Sequence, residues 1–374
     1  MKVLIAAGGT GGHVNPALAV AGEIRKRHPE AEICFVGTKD RIEAEIVPAA
    51  GYPLKTIDIK GLRRGFSPKD IKENIDTAIK LLKCSGAVKK IINEFQPDVA
   101  VGFGGYVSGP VIRMAAKMGV PTVIHEQNAF PGVTNKALAE KVDVVMLTAE
   151  DAKKHMKFKN EPIVTGLPIR GELLEADSVA SRQELGFNEN PIILCMGGSL
   201  GAREINKAII EVIASNAHDE RYNFIVSTGK NGMWVADKLE ERGVDLKKMP
   251  HIIIRPYIDD MARCLSAADL VICRAGASSL SEIQALGKPS ILIPSPNVTE
   301  NHQYHNAMAL VNKHAAVIIE EKDLNGSILS RNVDNLLGDK RKLKEVGENA
   351  RAMAVIDATS RICDIVEGLI KKVI

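Results

Sequence analysis

KVLIAAGGTGGHVNPALA, residues 2–19, sets a short apolar run, Val3 to Ala7, directly before the loop Gly8-Gly9-Thr10-Gly11-Gly12-His13 and a helical stretch from Pro16 to Lys26. Strand, glycine loop and helix in that order form the opening unit of a doubly wound parallel sheet. The missing side chains permit positive φ and close backbone approach, so the loop is built to touch something. Its spacing departs from the dinucleotide fingerprint. No third glycine follows at the required place, and the next strand ends in Gly37-Thr38 rather than in an acid for a ribose. Nor is it a P-loop, because His13 and Val14 stand where Lys and Ser/Thr are needed to reach phosphates and Mg²⁺.

The same alternation continues outward through Ile33 to Val36, Val99 to Val101, Thr122 to Ile124 and Val144 to Leu147. After Val164-Thr165-Gly166-Leu167-Pro168 it restarts at Ile192 to Met196 and runs on through Phe224 to Ser227, Ile252 to Ile254, Leu270 to Cys273 and Ile291 to Ile293. Two doubly wound α/β domains are expected, with ligands beyond the carboxyl ends of the strands and the natural site in a cleft between the domains. The expected division is 1–166, 167–351 and a C-terminal helix over 352–374 that returns to the first domain.

A chain of 374 residues exceeds what a single core usually supports, which agrees with two domains. The 49 basic and 46 acidic residues give a formal charge of +3, too even a balance to indicate nucleic-acid binding. No apolar run is long enough for a signal peptide or a membrane span, so a cytosolic location is expected. The six cysteines form no C-x-x-C pair. Cys34, Cys195 and Cys273 lie inside apolar runs and read as core thiols.

Two further glycine loops follow strands and open helices: Gly102-Phe103-Gly104-Gly105-Tyr106-Val107-Ser108-Gly109-Pro110, and Gly197-Gly198-Ser199-Leu200-Gly201. A fourth strand-to-helix junction reads Arg274-Ala275-Gly276-Ala277-Ser278-Ser279-Leu280-Ser281-Glu282. Small residues there leave helix-start N–H groups open to a diphosphate, and Glu282, one turn in, can accept from vicinal ribose hydroxyls. The bland alternative is an ordinary helix start capped by Ser278 with Glu282 solvated.

At these residues the chain resembles the GT-B glycosyltransferases of peptidoglycan synthesis that convert lipid I to lipid II. The matching stretches are GGTGGHVNPALA, GGYVSGP, HEQNAFPGVTNK, GLPIR, GGSLGA, YIDDM, RAGASSLSEI and NHQYHNA, in order across residues 8–307. The resemblance implies two facing Rossmann-like domains, a UDP-N-acetylglucosamine donor held mainly by the second, and inversion at the anomeric carbon. Ser199 and the helix start at Ala277, Ser278, Ser279, Leu280 and Ser281 would hold the diphosphate, and Glu282 the ribose. The backbone near Ile258 would read uracil, and Arg170 would lie close to the nucleotide. Gln303 would contact the sugar hydroxyls and Asn128 the donor, while Thr10, Gly11, Gly12 and His13 of the first loop would contact substrate. The acceptor implied is lipid I, undecaprenyl-pyrophosphoryl-MurNAc-pentapeptide, met at the cytoplasmic face of the cell membrane by a peripheral enzyme.

An inverting transfer needs a base for the acceptor C4 hydroxyl and stabilisation of the departing UDP. His13 is the favoured base because the positive end of its helix disfavours imidazolium; Glu126 is its rival. No Asp-x-Asp occurs in the chain, so N–H groups and Ser199 are expected to stabilise the leaving group without a metal or other cofactor. His302, His305 and Glu300 lack the spacing of a zinc site. Between Pro68 and Glu94, Ile71, Ile75, Ile79 and Leu82 recur at helical spacing among Lys69, Lys72, Lys80, Lys83, Lys89 and Lys90, as in an interfacial helix or a core-facing helix with a solvated lysine face. Competing functions are a UDP-N-acetylglucosamine 2-epimerase and a glycosyltransferase of the same architecture with another acceptor.

Overall fold

A computed structural model describes residues 1–59 and 84–371. The chain divides into two compact units, Met1–Ile169 with Ile356–Ile374, and Arg170–Val355. In the first unit the order is β1 (Lys2–Ala6), α1 (Gly11–Arg27), β2 (Glu32–Gly37), α2 (Glu43–Ala49), β3 (Leu54–Thr56), α3 (84–95) and β4 (Val99–Gly102). It continues with α4 (Gly105–Lys117), β5 (Thr122–Glu126), α5 (Val133–Leu138), β6 (Val144–Leu147) and β7 (Ile163–Val164). The second unit contains α6 (Gly171–Glu175), α7 (Ser178–Glu184), β8 (Ile192–Met196), α8 (Arg203–Asn216), β9 (Asn223–Ser227), α9 (Trp234–Glu240) and β10 (Ile252–Arg255). It is completed by α10 (Met261–Ala267), β11 (Leu270–Cys273), α11 (Ala277–Leu286), β12 (Ser290–Leu292), α12 (His302–Val311), β13 (Val317–Ile318), α13 (Gly326–Leu337) and α14 (Lys340–Ala352). Helix α15 (Ala358–Lys371) belongs to the first unit.

Both sheets are parallel throughout. Their orders are β3-β2-β1-β4-β5-β6-β7 and β10-β9-β8-β11-β12-β13. Every residue of β4, β5, β8, β9 and β11 is buried, as expected where helices cover both faces, which is why these strands read in sequence as mainly apolar runs without polar alternation. The strands absent from the sequence reading, β3, β7 and β13, are two- or three-residue segments at the sheet edges, too short to carry a period of their own.

In each sheet the order reverses between one pair of neighbours, β1 and β4 in the first unit, β8 and β11 in the second. Loops leaving such neighbours turn to opposite faces and open a crevice between them. All four loops singled out in the sequence leave these four strands, so each switch point is lined by two of them.

The lysine-rich stretch lies largely outside the described residues, including Ile71, Ile75, Ile79, Leu82, Lys69, Lys72, Lys80 and Lys83. Where its end is described, in α3, Cys84, Val88, Ile91 and Ile92 are buried in the core of the first unit, with Lys89 and Lys90 exposed. That part is a core-facing helix.

Helix α15 packs Ile362, Cys363 and Val366 onto the face of the first sheet that α1 also covers. Arg27 fixes its position by donating to Asp364 at 2.6 Å, to Ser360 Oγ at 2.6 Å and to Glu367 at 3.2 Å. Ile362→Ala is expected to destabilise the first unit by about 2–5 kcal/mol through a core cavity, and Arg27→Ala by about 1–2 kcal/mol because its partners are partly solvated. Hydrogen exchange of the β1 and β4 amides under increasing urea checks both values.

Candidate functional site

In the first unit, Glu43 of α2 is fully buried beneath the loop that follows β1. One carboxylate oxygen accepts from Gly9 N at 3.0 Å; the other accepts from Thr38 N at 3.0 Å and Thr38 Oγ1 at 2.7 Å. A Cβ at Gly8 or Gly37 would lie 2.7 Å from this side chain. Those two glycines therefore make room for Glu43 rather than for a ligand, and Thr38 is its partner. The N–H groups that open α1 follow Thr10, which caps the helix through no side-chain bond, and Gly12 and Thr10 are exposed.

The loop after β4 closes over the same point. Gly104 and Gly105 have φ of 89° and 73°, and a Cβ on Gly105 would fall 2.4 Å from Gly8 O. This contact brings His13, the third residue of α1, against the end of β5. His13 Nδ1 lies 3.0 Å from Gln127 Oε1. Gln127 Nε2 in turn donates to Phe103 O at 2.9 Å and His125 O at 3.1 Å, and lies 3.2 Å from His125 Nδ1. The chain ends where His125 Nε2 meets Gly166 O at 2.8 Å.

Glu126, the rival base, is 1 % exposed and occupied differently. Its oxygens accept from Asn128 N at 2.9 Å, Asn128 Nδ2 at 3.2 Å, Gly132 N at 3.1 Å and Asn135 Nδ2 at 2.8 Å. Four donors surround the carboxylate at the centre of the loop 127–135. The motif HEQNAFPGVTNK is thus a loop wrapped around its own glutamate. Asn128 sits on that loop, half-buried.

In the second unit the loop after β8 lies against the one after β9. A Cβ on Gly201, at φ 84°, would fall 2.1 Å from Thr228 O, and one on Gly229, at φ 77°, 1.9 Å from Gly201 N. Lys230 N donates to Ser199 O at 3.1 Å and Asn231 N to Leu200 O at 3.2 Å, which leaves the Ser199 side chain exposed at the tip. Across the switch point α11 begins at Ala277. Its N-cap is Gly276, no side chain caps it, and the first helical bond runs from Leu280 N to Gly276 O at 3.0 Å. Ser278 does not cap the helix. The N–H groups of Ala277, Ser278 and Ser279 precede that first bond and form the positive end of the helix.

Glu282, one turn further, accepts from Arg170 Nε at 2.8 Å, which brings together two residues assigned separately to the nucleotide. Leu280 is turned into the core at 4 % exposure, so only its backbone is available to a ligand. Ile258 is also anchored in that core, which fixes the backbone of the loop 256–260, and Asp260 beside it holds both Arg255 and Arg263. Gln303 lies in the first turn of α12 and accepts from Ser295 N at 2.9 Å. Just before it Glu300 and Asn301 have φ of 54° and 49°, a left-handed pair that is strained for residues with a Cβ and marks this loop as held by its surroundings.

Residues 3–147 match the glycosyltransferase family 28 N-terminal domain, and residues 192–362 match the glycosyltransferase family 28 C-terminal domain. The chain belongs to glycosyltransferase family 28. A relative from Acetivibrio thermocellus, named UDP-N-acetylglucosamine–N-acetylmuramyl-(pentapeptide) pyrophosphoryl-undecaprenol N-acetylglucosamine transferase, is 43% identical over 376 residues, with 99% of each chain covered. The crystal structure of Acinetobacter baumannii MurG superposes with a TM-score of 0.78 at 28% identity, covering 98% of this chain and 99% of that one. A UDP-N-acetylglucosamine 2-epimerase structure from Listeria monocytogenes has a TM-score of 0.69 at 15% identity, over 99% and 97% of the two chains, a likeness of fold alone. The two parallel-sheet units and the family 28 match place the chain in the GT-B class expected from its sequence.

Sequence reading missed Glu43, Gln127 and the loop Thr228-Gly229-Lys230-Asn231-Gly232. A lone Glu or Gln carries no spacing signal, although two glycines three residues apart after a strand could have marked the last. Burial holds His125 at about 4, below its ordinary 6.5, against the opposing pull of the Gly166 carbonyl. Below 6.5 the unfolded chain takes up a proton that the folded unit refuses, so this contribution to stability is intact above 6.5 and is lost as pH falls toward 4. Between about pH 7.5 and about pH 5 the first unit should lose about 2 kcal/mol by this route. The same pH comparison of urea unfolding in His125→Phe should lack that component; an unchanged pH dependence would contradict it.

Proposed function

We propose that this protein transfers N-acetylglucosamine from UDP-N-acetylglucosamine to the C4 hydroxyl of the muramyl sugar of undecaprenyl-linked lipid I, with inversion, giving lipid II. Identity of 43% over 99% of each chain to a relative named as the transferase acting between these substrates supports them. The observation that carries the donor half is the uncapped start of α11, with Glu282 one turn in and Arg170 bonded to it. The N–H groups of 277–279 and the exposed Ser199 hydroxyl would receive the diphosphate, and Glu282 the ribose hydroxyls, while the anchored backbone at Ile258 reads the uracil and Gln303 the sugar. Asn128 and the first loop, Thr10 to His13, serve substrate from the first unit.

His13 acts as the base. Its imidazole takes the proton as the acceptor oxygen attacks the anomeric carbon; the bond from that carbon to UDP breaks on the opposite side, and the charge on the departing diphosphate is met by the helix start. Glu126 is unsuited to that task because its lone pairs are already engaged, and it holds the loop that carries Gln127 and Asn128. These contacts need no metal ion. Among the described residues no helix is long and apolar enough to cross a membrane. Since the acceptor is lipid-linked, the protein works peripherally at the cytoplasmic face of the membrane.

UDP release from UDP-N-acetylglucosamine with a lipid I analogue tests the activity; an epimerised donor without glycosyl transfer would overturn it. His13→Ala should lower kcat by about 10²–10⁴-fold. Glu282→Ala should weaken UDP binding by about 10- to 100-fold through the loss of charge-assisted hydrogen bonds, and EDTA should leave turnover unchanged. Replacing Lys80 and Lys83 with Glu should weaken binding to anionic vesicles while UDP affinity stays as it was; equal vesicle binding would remove this stretch from the membrane contact.

A further inference from the structure

The hydrogen bonds behind His13 leave no choice about which of its nitrogens carries the proton. At the far end, Gly166 O can only accept, so His125 Nε2 is a donor at 2.8 Å. A neutral imidazole has one N–H, hence His125 Nδ1 is an acceptor, and it faces Gln127 Nε2 at 3.2 Å. The orientation of the Gln127 amide is fixed independently. The same amide atom lies 2.9 Å from Phe103 O and 3.1 Å from His125 O, two carbonyls that cannot donate, so it is the nitrogen. The other amide atom is therefore the oxygen, and His13 Nδ1, 3.0 Å away, must donate to it.

We infer that Gln127 and His125 are positioning residues that fix the tautomer of His13, placing its proton on Nδ1 and its lone pair on Nε2. The inference rests on the reading of His13 as the base, and it identifies Nε2 as the atom that accepts the proton. Three backbone carbonyls, of Phe103, His125 and Gly166, anchor the array, and none of them titrates. Gln127 is 3 % and His125 0 % exposed, so water does not compete for these bonds. Gly104 belongs to the same device: a Cβ there would lie 3.0 Å from His13 Nδ1 and 3.3 Å from Gln127 Oε1, at a φ of 89° that favours glycine.

An amide in this position orients the ring without adding charge. A carboxylate would also accept from Nδ1, but it would favour imidazolium and would set its second oxygen against two carbonyls with no proton between them. The histidine is thus aligned as in a catalytic triad, with a neutral amide in place of the triad's carboxylate.

Nitrogen NMR of the wild-type protein labelled with ¹⁵N-histidine reads the tautomers directly, with His13→Ala assigning the signal. The expected pattern is a protonated Nδ1 and unprotonated Nε2 on His13, and the reverse on His125. Gln127→Met, which keeps the length but neither donates nor accepts through an amide, should mix the His13 tautomers. It should lower kcat about 10- to 100-fold, the usual loss for a residue that orients another, with the KM for UDP-N-acetylglucosamine unchanged. A His13 protonated on Nε2 in the wild type, or Gln127→Met with full kcat, overturns the inference. The wild-type spectrum tests the tautomer even if the variant does not fold. Full turnover by His13→Ala beside the expected wild-type tautomer would instead sink the reading of His13 as base and leave the tautomer assignment standing.

Discussion

Backbone lying against backbone, with no space for a Cβ between, is the constraint from which both halves of this protein are built. At the first switch point Gly105, after β4, meets the carbonyl of Gly8, after β1, and in the second unit Gly201, after β8, meets Gly229, after β9. Each contact pins the carboxyl end of one strand to the loop of its neighbour, so the helix that follows starts at a fixed place. His13 stands on one of these starts, that of α1, and Ser199 lies in the loop that leads into α8. Their placement follows from peptide geometry, and side chains refine it.

Buried charge serves the same end. Glu43 and Glu126 lie beside neighbouring loops in the first unit, where an ionised group without partners would be strongly unfavourable. Each is instead enclosed by three or four N–H and O–H donors, most of them from loop backbone or loop side chains. Such a carboxylate acts as a template: the loop keeps the one conformation that satisfies it. Glu43 shapes the turn after β1 and Glu126 shapes the turn after β5, and between them His13 and Gln127 meet. In the second unit Glu282 has a single hydrogen-bonded partner among the described residues, Arg170, and retains capacity to accept. That contrast separates a structural acid from one suited to a ligand.

Glycosyltransferase family 28 membership and a fold shared with an epimerase raise the question of what distinguishes one chemistry from another on similar sheets. The proposed donor site, a helix start with a glutamate one turn in, suits any reaction of a nucleotide sugar. The polar array that reaches from Gly166 to His13 suits a transfer that must deprotonate an alcohol. It lies in the first unit, beside the glycine loops.

Periodicity and turn chemistry in the sequence determined the two parallel sheets, their ten principal strands and the four loops at the switch points, because buried parallel strands must be continuous apolar runs and close backbone contacts must be glycine. The candidates His13, Ser278 and Glu282 were singled out from their place just beyond strand ends, and Ser199 through the family resemblance. Tertiary structure alone shows Glu126 enclosed by four donors of its own loop and His13 Nδ1 set against Gln127. It alone revealed Gln127, His125 and Glu43 as parts of the candidate site, and it turned Leu280 inward. The contacts of Gln127, His125 and Glu43 join segments 24 to 114 residues apart, which local sequence spacing does not record, and those of Glu126 lie within one loop whose closure depends on its burial.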